Sequence, residues 1–183
     1  MPRIAPTTIE NAPADARPIL ENIEKGLGRV PNLLATLGVS TAAMKSYIGQ
    51  KEAIAKGTLG AKFGESIAIA MASFSKCQYC ASAHEVIAQK QGVADEERKL
   101  NRKGESGDPK TQAAINLARS IVETRGWSND EMIDQARQAG LSDSDILEVF
   151  TITMFNLFTN YANNLFETEN DFPSIEIDEA VAV

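Results

Sequence analysis

Apolar residues along the chain recur at helical spacing, and hardly any run alternates apolar and polar positions among β-branched types as a half-buried strand would. The pattern predicts an all-α fold. Residues 11–28, NAPADARPILENIEKGLG, read as a first helix closed by Gly26 or Gly28, and VPNLLATLGVS starts a short second one with Pro31 in its first turn. Ser40 or Thr41 can cap a third, running to about Lys56. The stretch TLGAKFGESIAIAMASF has an almost wholly apolar, alanine-rich centre, so this helix should be buried on most sides. Ser75 to Gln78 then fits the capping box S-x-x-Q, with Phe74 and Tyr79 placed as a hydrophobic staple, which predicts a chain reversal and a new helix running to Gly92. The charged VADEERKLNRKGESGDP reads as a short helix plus an exposed loop. Asp108 and Pro109 open the next helix and Gly126 closes it, Ser128 with Glu131 makes another capping box, and Ser142 or Asp143 starts the last long helix. About eight helices result, with no long linker between them.

Composition narrows the class. A chain of 183 residues, 43 % hydrophobic and 23 % charged with seven prolines, reads as one globular domain large enough to form a core without disulfide staples. The formal charge of −7 and the scattered Lys and Arg argue against a nucleic-acid or anionic-membrane partner. The longest uncharged stretch, Val149 to Phe166, carries too many Asn and Thr for a bilayer span, and the first residues hold no signal-peptide core, so the expected location is cytoplasmic. In a reducing cytoplasm a Cys-x-x-Cys pair points to catalysis, redox sensing or metal binding more than to structure.

That pair is Cys77 and Cys80, and both cysteines of the chain stand within eight positions of its only histidine, His84. On a helix the three fall at i, i+3 and i+7 and project from one face. Near the helix start, orphan N–H groups and the macrodipole favour thiolate. An ordinary thiol of pKa about 8.5 is only about 3 % thiolate at pH 7, so such an environment mainly increases the available nucleophile. Glu65 joins through geometry: a continuous helix would put it about 18 Å from Cys77, but an αα-hairpin folded at Ser75 sets it opposite His84. A carboxylate orienting an imidazole that faces a thiol is the arrangement of an activated nucleophile.

Each residue taken singly has a plainer role, as a buried small residue, a hydrogen-bonded core histidine, or a carboxylate paired with Lys62. Together they are hard to place by chance on one face. The competing chemistry is zinc held by Cys77, Cys80, His84 and Glu65, although structural zinc sites usually build on knuckles or loops and no second histidine supports a catalytic one. Redox chemistry, with no bound metal or cofactor, is the favoured reading. A faint internal echo, in which Glu148, Asn160, Asn163 and Glu167 repeat the spacing of Glu65, Cys77, Cys80 and His84, fits a duplicated helical pair with one active half or, equally well, a chance alignment of similar amphipathic helices, and carries no weight as to function.

The pattern E-x11-C-x2-C-x3-H resembles the signature of the alkyl hydroperoxidase D group within the carboxymuconolactone decarboxylase superfamily, and GLGRVPNLLATLGVS and NYANNLFETENDFP resemble segments of its peroxidase-related members. The resemblance implies a helical bundle of that type, assembled as trimers or dimer-based hexamers, and thiol peroxidase activity toward organic hydroperoxides without metal or haem. It implies Cys80 as the peroxidatic thiol, His84 as its base, Glu65 as the end of the relay, and Cys77 as the resolving thiol. The resulting disulfide is then reduced by a lipoyl-bearing or thioredoxin-like dithiol partner. One departure is Tyr79, where the hydroperoxidase has a histidine in its relay. One tension is that dipole reasoning favours Cys77, nearer the helix start, whereas proximity to His84 favours Cys80. Alternatives are a general disulfide oxidoreductase, a redox sensor, and the decarboxylase chemistry of other members. The apolar VFTITMFNLF gives modest support to a homo-oligomer, although such runs are more often simply core.

Overall fold

The computed structural model describes residues 1–177, 181 and 183, which form nine α-helices and no strand. These are α1 (Arg17–Leu27), α2 (Asn32–Leu37), α3 (Thr41–Ala55), α4 (Ala61–Phe74), α5 (Gln78–Lys90), α6 (Asp95–Arg102), α7 (Pro109–Glu123), α8 (Asp130–Gln138) and α9 (Asp143–Phe166). The all-α expectation of about eight helices holds, and each segment read as helical carries one of the nine. Helix α4 is the axle: every residue from Ser66 to Phe74 is buried, as its apolar, alanine-rich composition requires, and α5, α6, α7 and α9 pack around it. Small alanines at 68, 70 and 72 let those neighbours approach closely.

The core has two main parts. One gathers Leu20, Leu33, Leu34, Leu37 and Met44 from α1 to α3 against Ala72, Cys77, Tyr79 and Cys80. The other packs Ile67, Met71 and Phe74 of α4 against Ile115, Leu117 and Ala118 of α7 and Val149 and Ile152 of α9. The site therefore lies where the core of the first three helices meets the α4–α5 hairpin.

The boundaries follow local chemistry. Gly28, not Gly26, closes α1 in the left-handed region at φ 76°. Pro31 is the N-cap of α2, one position before its first turn, and Ser40 caps α3 by accepting from the Ala43 N–H. Asp108 caps α7 and Ser142 with Asp145 forms a full capping box for α9. The capping box expected at Ser128 is absent: the Asn129 side chain accepts from the Met132 N–H instead, and the Ser128 hydroxyl is engaged by Ser120. Gly104 is required by position as well as by backbone. It sits at φ 75°, and a Cβ there would stand 2.9 Å from Cε1 of buried Phe74. Gly104→Ala is expected to destabilise the fold by about 2–3 kcal/mol, adding a left-handed alanine to a displaced ring. Urea denaturation measures this, and a loss below about 0.5 kcal/mol would show that the ring swings clear at no cost.

The internal echo does not describe a duplication. Glu148 and Asn160 lie on one continuous helix, α9, whereas Glu65 and Cys77 are separated by a chain reversal. Glu148 closes the α3–α4 loop by accepting from the backbone N–H groups of Thr58 and Leu59. Among the described residues, no helix is long and apolar enough to cross a membrane.

Candidate active site

The site is built on a reversal that the sequence locates to within two residues. Helix α4 ends in a Schellman motif: Ser75 is the C-cap, Lys76 adopts φ 48°, the Lys76 N–H reaches the Ser73 carbonyl at 3.0 Å and the Cys77 N–H reaches the Ala72 carbonyl at 2.8 Å. Because Ser75 as C-cap and Lys76 in the left-handed region finish α4, Ser75 cannot begin α5, and the expected S-x-x-Q box does not form. Cys77 takes the N-cap position instead, its Sγ accepting from the Cys80 N–H at 3.2 Å. The Ser75 hydroxyl is held by Asn160 Nδ2 at 3.2 Å, and its carbonyl by Asn164 Nδ2 at 2.7 Å, so α9 fixes the hinge.

Cys77 and Cys80 are joined as a disulfide, with Cα atoms 5.3 Å apart. Both are buried, at 0 % and 3 % exposure. The Cys80 sulfur also accepts from Asn163 Nδ2 of α9 at 3.2 Å. One turn further along α5, His84 Nδ1 lies 2.8 Å from Glu65 Oε2. The hairpin geometry inferred from the sequence is therefore met: residues nearly equidistant from the reversal lie side by side. With Nδ1–H donating to the carboxylate, Nε2 is the ring's remaining acceptor. Their side chains are 17 % and 18 % exposed, which leaves this pair at the border of the buried dithiol and solvent. Among the described residues, no group of three or more His, Cys, Asp or Glu is gathered so as to hold a metal ion.

Tyr79, between the cysteines, points away from the relay. Its hydroxyl accepts from the Leu33 N–H at 3.2 Å, and its ring meets Phe172 edge-on at 5.5 Å, so it ties α5 to the start of α2. Burial pushes this phenol well above its ordinary value, a shift that the Leu33 N–H opposes and the nearby Asp171 carboxylate reinforces. Burial, with the Glu65 carboxylate adding to it, raises Tyr47 to about 12. Both phenols thus hold protons in the folded chain that the unfolded chain releases from about pH 10. The stability they contribute is complete below that pH and is lost as pH climbs toward Tyr47's folded value. Denaturation midpoints should fall between about pH 10 and about pH 12, and Tyr47→Phe should flatten the fall; an unchanged slope in that variant would assign the loss to other groups.

After α9, the segment from Glu167 to Ile177 crosses the start of α5. Gln78 Nε2 donates to the Ile175 carbonyl at 2.6 Å and Asn170 Nδ2 to the Ser82 hydroxyl at 3.1 Å. Asp171 pairs with Arg29 and accepts from the Asn32 N–H at 3.1 Å, while the Arg29 guanidinium lies over the Phe172 ring at 4.8 Å. This strap and the α9 asparagines are what the site reading from the sequence missed. The signal for the latter was present, since NYANN interrupts an apolar helix and Asn163 lies three residues after Asn160, the spacing of the two cysteines.

Residues 40–101, from the cap of α3 to the end of α6, match the model of the carboxymuconolactone decarboxylase family and include Glu65, Cys77, Cys80 and His84. Among curated proteins no sequence matches the chain. Among solved structures, the chain is similar to a peroxidase-related protein from Ralstonia eutropha JMP134 described as an alkylhydroperoxidase AhpD core, at 21 % identity and TM-score 0.81 over 93 % of this chain and 92 % of that one. A peroxidase-related protein from Silicibacter sp. TM1040 follows at 19 % identity and TM-score 0.77, covering 87 % and 86 % of the two chains. The debrominase Bmp8, in a structure with 2,3,4-tribromopyrrole, is similar at 20 % identity and TM-score 0.77, covering 92 % and 91 %. At these identities the likeness establishes the fold, which is AhpD-like with the family segment at its centre.

Proposed function

We propose that the protein is a thiol-dependent peroxidase that reduces organic hydroperoxides through Cys77 and Cys80. The observation that carries the reading is a disulfide-forming pair at a helix start with a Glu65-oriented imidazole one turn on. In the reduced protein the Cys80 thiol gives its proton to His84 Nε2, and Glu65 holds the imidazolium that results. The thiolate attacks the distal oxygen of the hydroperoxide: an S–O bond forms, the O–O bond breaks, and the departing alkoxide takes the proton from His84 to leave as the alcohol. Cys80 is then a sulfenic acid. The Cys77 sulfur attacks it, the disulfide forms and water leaves. An external dithiol, lipoyl-bearing or thioredoxin-like, restores the pair by exchange and is itself oxidised to a disulfide.

The test is stoichiometric. Fully reduced protein mixed with one equivalent of an organic hydroperoxide should lose both thiols and gain one intramolecular disulfide, followed by thiol titration and intact mass. Persistence of both thiols overturns the reading. Because Bmp8 shares the fold, 2,3,4-tribromopyrrole is a second electrophile to offer in the same assay, and thiol loss with it alone would favour dehalogenation.

We also assign the outward face of α9 to contact with a second copy of the chain. Leu147, Phe150, Met154, Tyr161 and Leu165 are all exposed there, a density of large apolar side chains unusual for a free helix face. The run VFTITMFNLF is thus only half core: Val149, Ile152 and Thr153 face inward, and Phe150 and Met154 do not. Light scattering on the purified protein should give a mass above one chain, and Phe150→Glu with Met154→Glu should return it to one; a monomeric parent would refute the assignment.

A further inference from the structure

The Asn163 amide reaches the dithiol from a different helix. It is 4 % exposed, its single side-chain hydrogen bond among the described residues is the one to Cys80 Sγ, and its Oδ1 is buried with no partner. An unsatisfied amide oxygen in a core position is costly, and a leucine there would avoid that cost. The orientation is set by chemistry: neither a disulfide sulfur nor a thiolate has a proton to give, so the amide must present Nδ2 to the sulfur. Asn163 is also held in place, since Asn160 and Asn164 on the same helix bind the α4–α5 hinge.

We propose that Asn163 stabilises the thiolate of Cys80 in the reduced protein and so helps make Cys80, not Cys77, the attacking sulfur; this rests on the dithiol reading given above. The two sulfurs receive different donors. Cys77, as N-cap, has the backbone N–H of Cys80, while Cys80 has the side-chain N–H of Asn163. Both sulfurs are out of water, which disfavours either thiolate, and in such surroundings a preoriented donor has most effect. When the Cys80 proton moves to His84 Nε2, the negative charge is left facing the amide and, one turn on, the imidazolium.

Titration of Cys80 alone tests this, in reduced protein carrying Cys77→Ser, by thiolate absorbance and by alkylation rate against pH. Asn163→Leu, similar in size without the donor, is expected to raise the Cys80 pKa by about one unit, leaving about tenfold less thiolate at pH values below it. Asn163→Ala should give the same shift. A packing role alone would change the melting temperature and leave the titration where it was; a pKa within about 0.3 of the parent in a folded variant therefore overturns the proposal. Should neither variant fold, the parent decides: a Cys80 that titrates above the ordinary thiol value of about 8.5 shows no net stabilisation and overturns it as well. No peroxide enters this experiment. A shifted titration with no reaction toward hydroperoxides would leave the Asn163 role standing and remove the peroxidase reading, and the reverse outcome would do the opposite.

Discussion

Cys80→Ser is expected to abolish thiol oxidation by organic hydroperoxide, lowering the rate of the first step by on the order of a thousandfold or more. Serine keeps the size and the contact with Asn163 but is not a thiolate at any working pH. Cys77→Ser should behave differently. It should still consume one equivalent of hydroperoxide, at a rate within about tenfold of the parent, and stop as the sulfenic acid, since no resolving sulfur remains. The asymmetry follows from position. Cys77 sits at the helix N-cap with its sulfur engaged by a backbone N–H, whereas Cys80 is one turn from His84 and faces the Asn163 amide. Trapping the sulfenic acid with a dione reagent and weighing the intact adduct distinguishes the two. A Cys80→Ser protein that forms the adduct through Cys77 would reverse the roles.

Glu65→Gln should lower the same rate by about a hundredfold while leaving the fold intact. Glutamine can still accept from the His84 Nδ1–H through its side-chain oxygen, so the ring can keep its orientation. What is lost is the charge that holds the imidazolium after His84 takes the Cys80 proton. The sharper measurement is a double-variant cycle. If Glu65 acts only through His84, then Glu65→Gln added to His84→Gln should cost almost nothing further, because residues that work as a unit are not additive. A Glu65→Gln rate within about threefold of the parent would make the 2.8 Å pair a structural contact between α4 and α5.

Much of this was present in the amino-acid order. The all-α class follows from helical periodicity, the burial of α4 from its apolar composition, and the caps at Ser40, Asp108 and Ser142 from short polar side chains at helix starts. The meeting of Glu65 with His84 was legible because a tight reversal between two helices leaves little freedom, and residues nearly equidistant from it must be neighbours. Where local reading failed, two motifs competed for the same residues. Ser75 and Gln78 fit a capping box, but the Schellman closure of α4 claims Ser75 and Lys76 first and hands the N-cap to Cys77. At Ser128 the neighbouring Asn129 makes the cap.

The helices, the reversal, and the face on which Cys77, Cys80 and His84 stand follow from the amino-acid order, because each of these depends on spacing within about two turns of the chain. The tertiary structure alone decided which groups complete the site. Asn163 lies 83 residues from Cys80, and Leu33, which gives Tyr79 its partner, lies 46 residues away. The strap residues that cover the start of α5 come from beyond α9. Such pairings depend on how helices pack, and packing is fixed by the burial of whole faces, which no local spacing encodes.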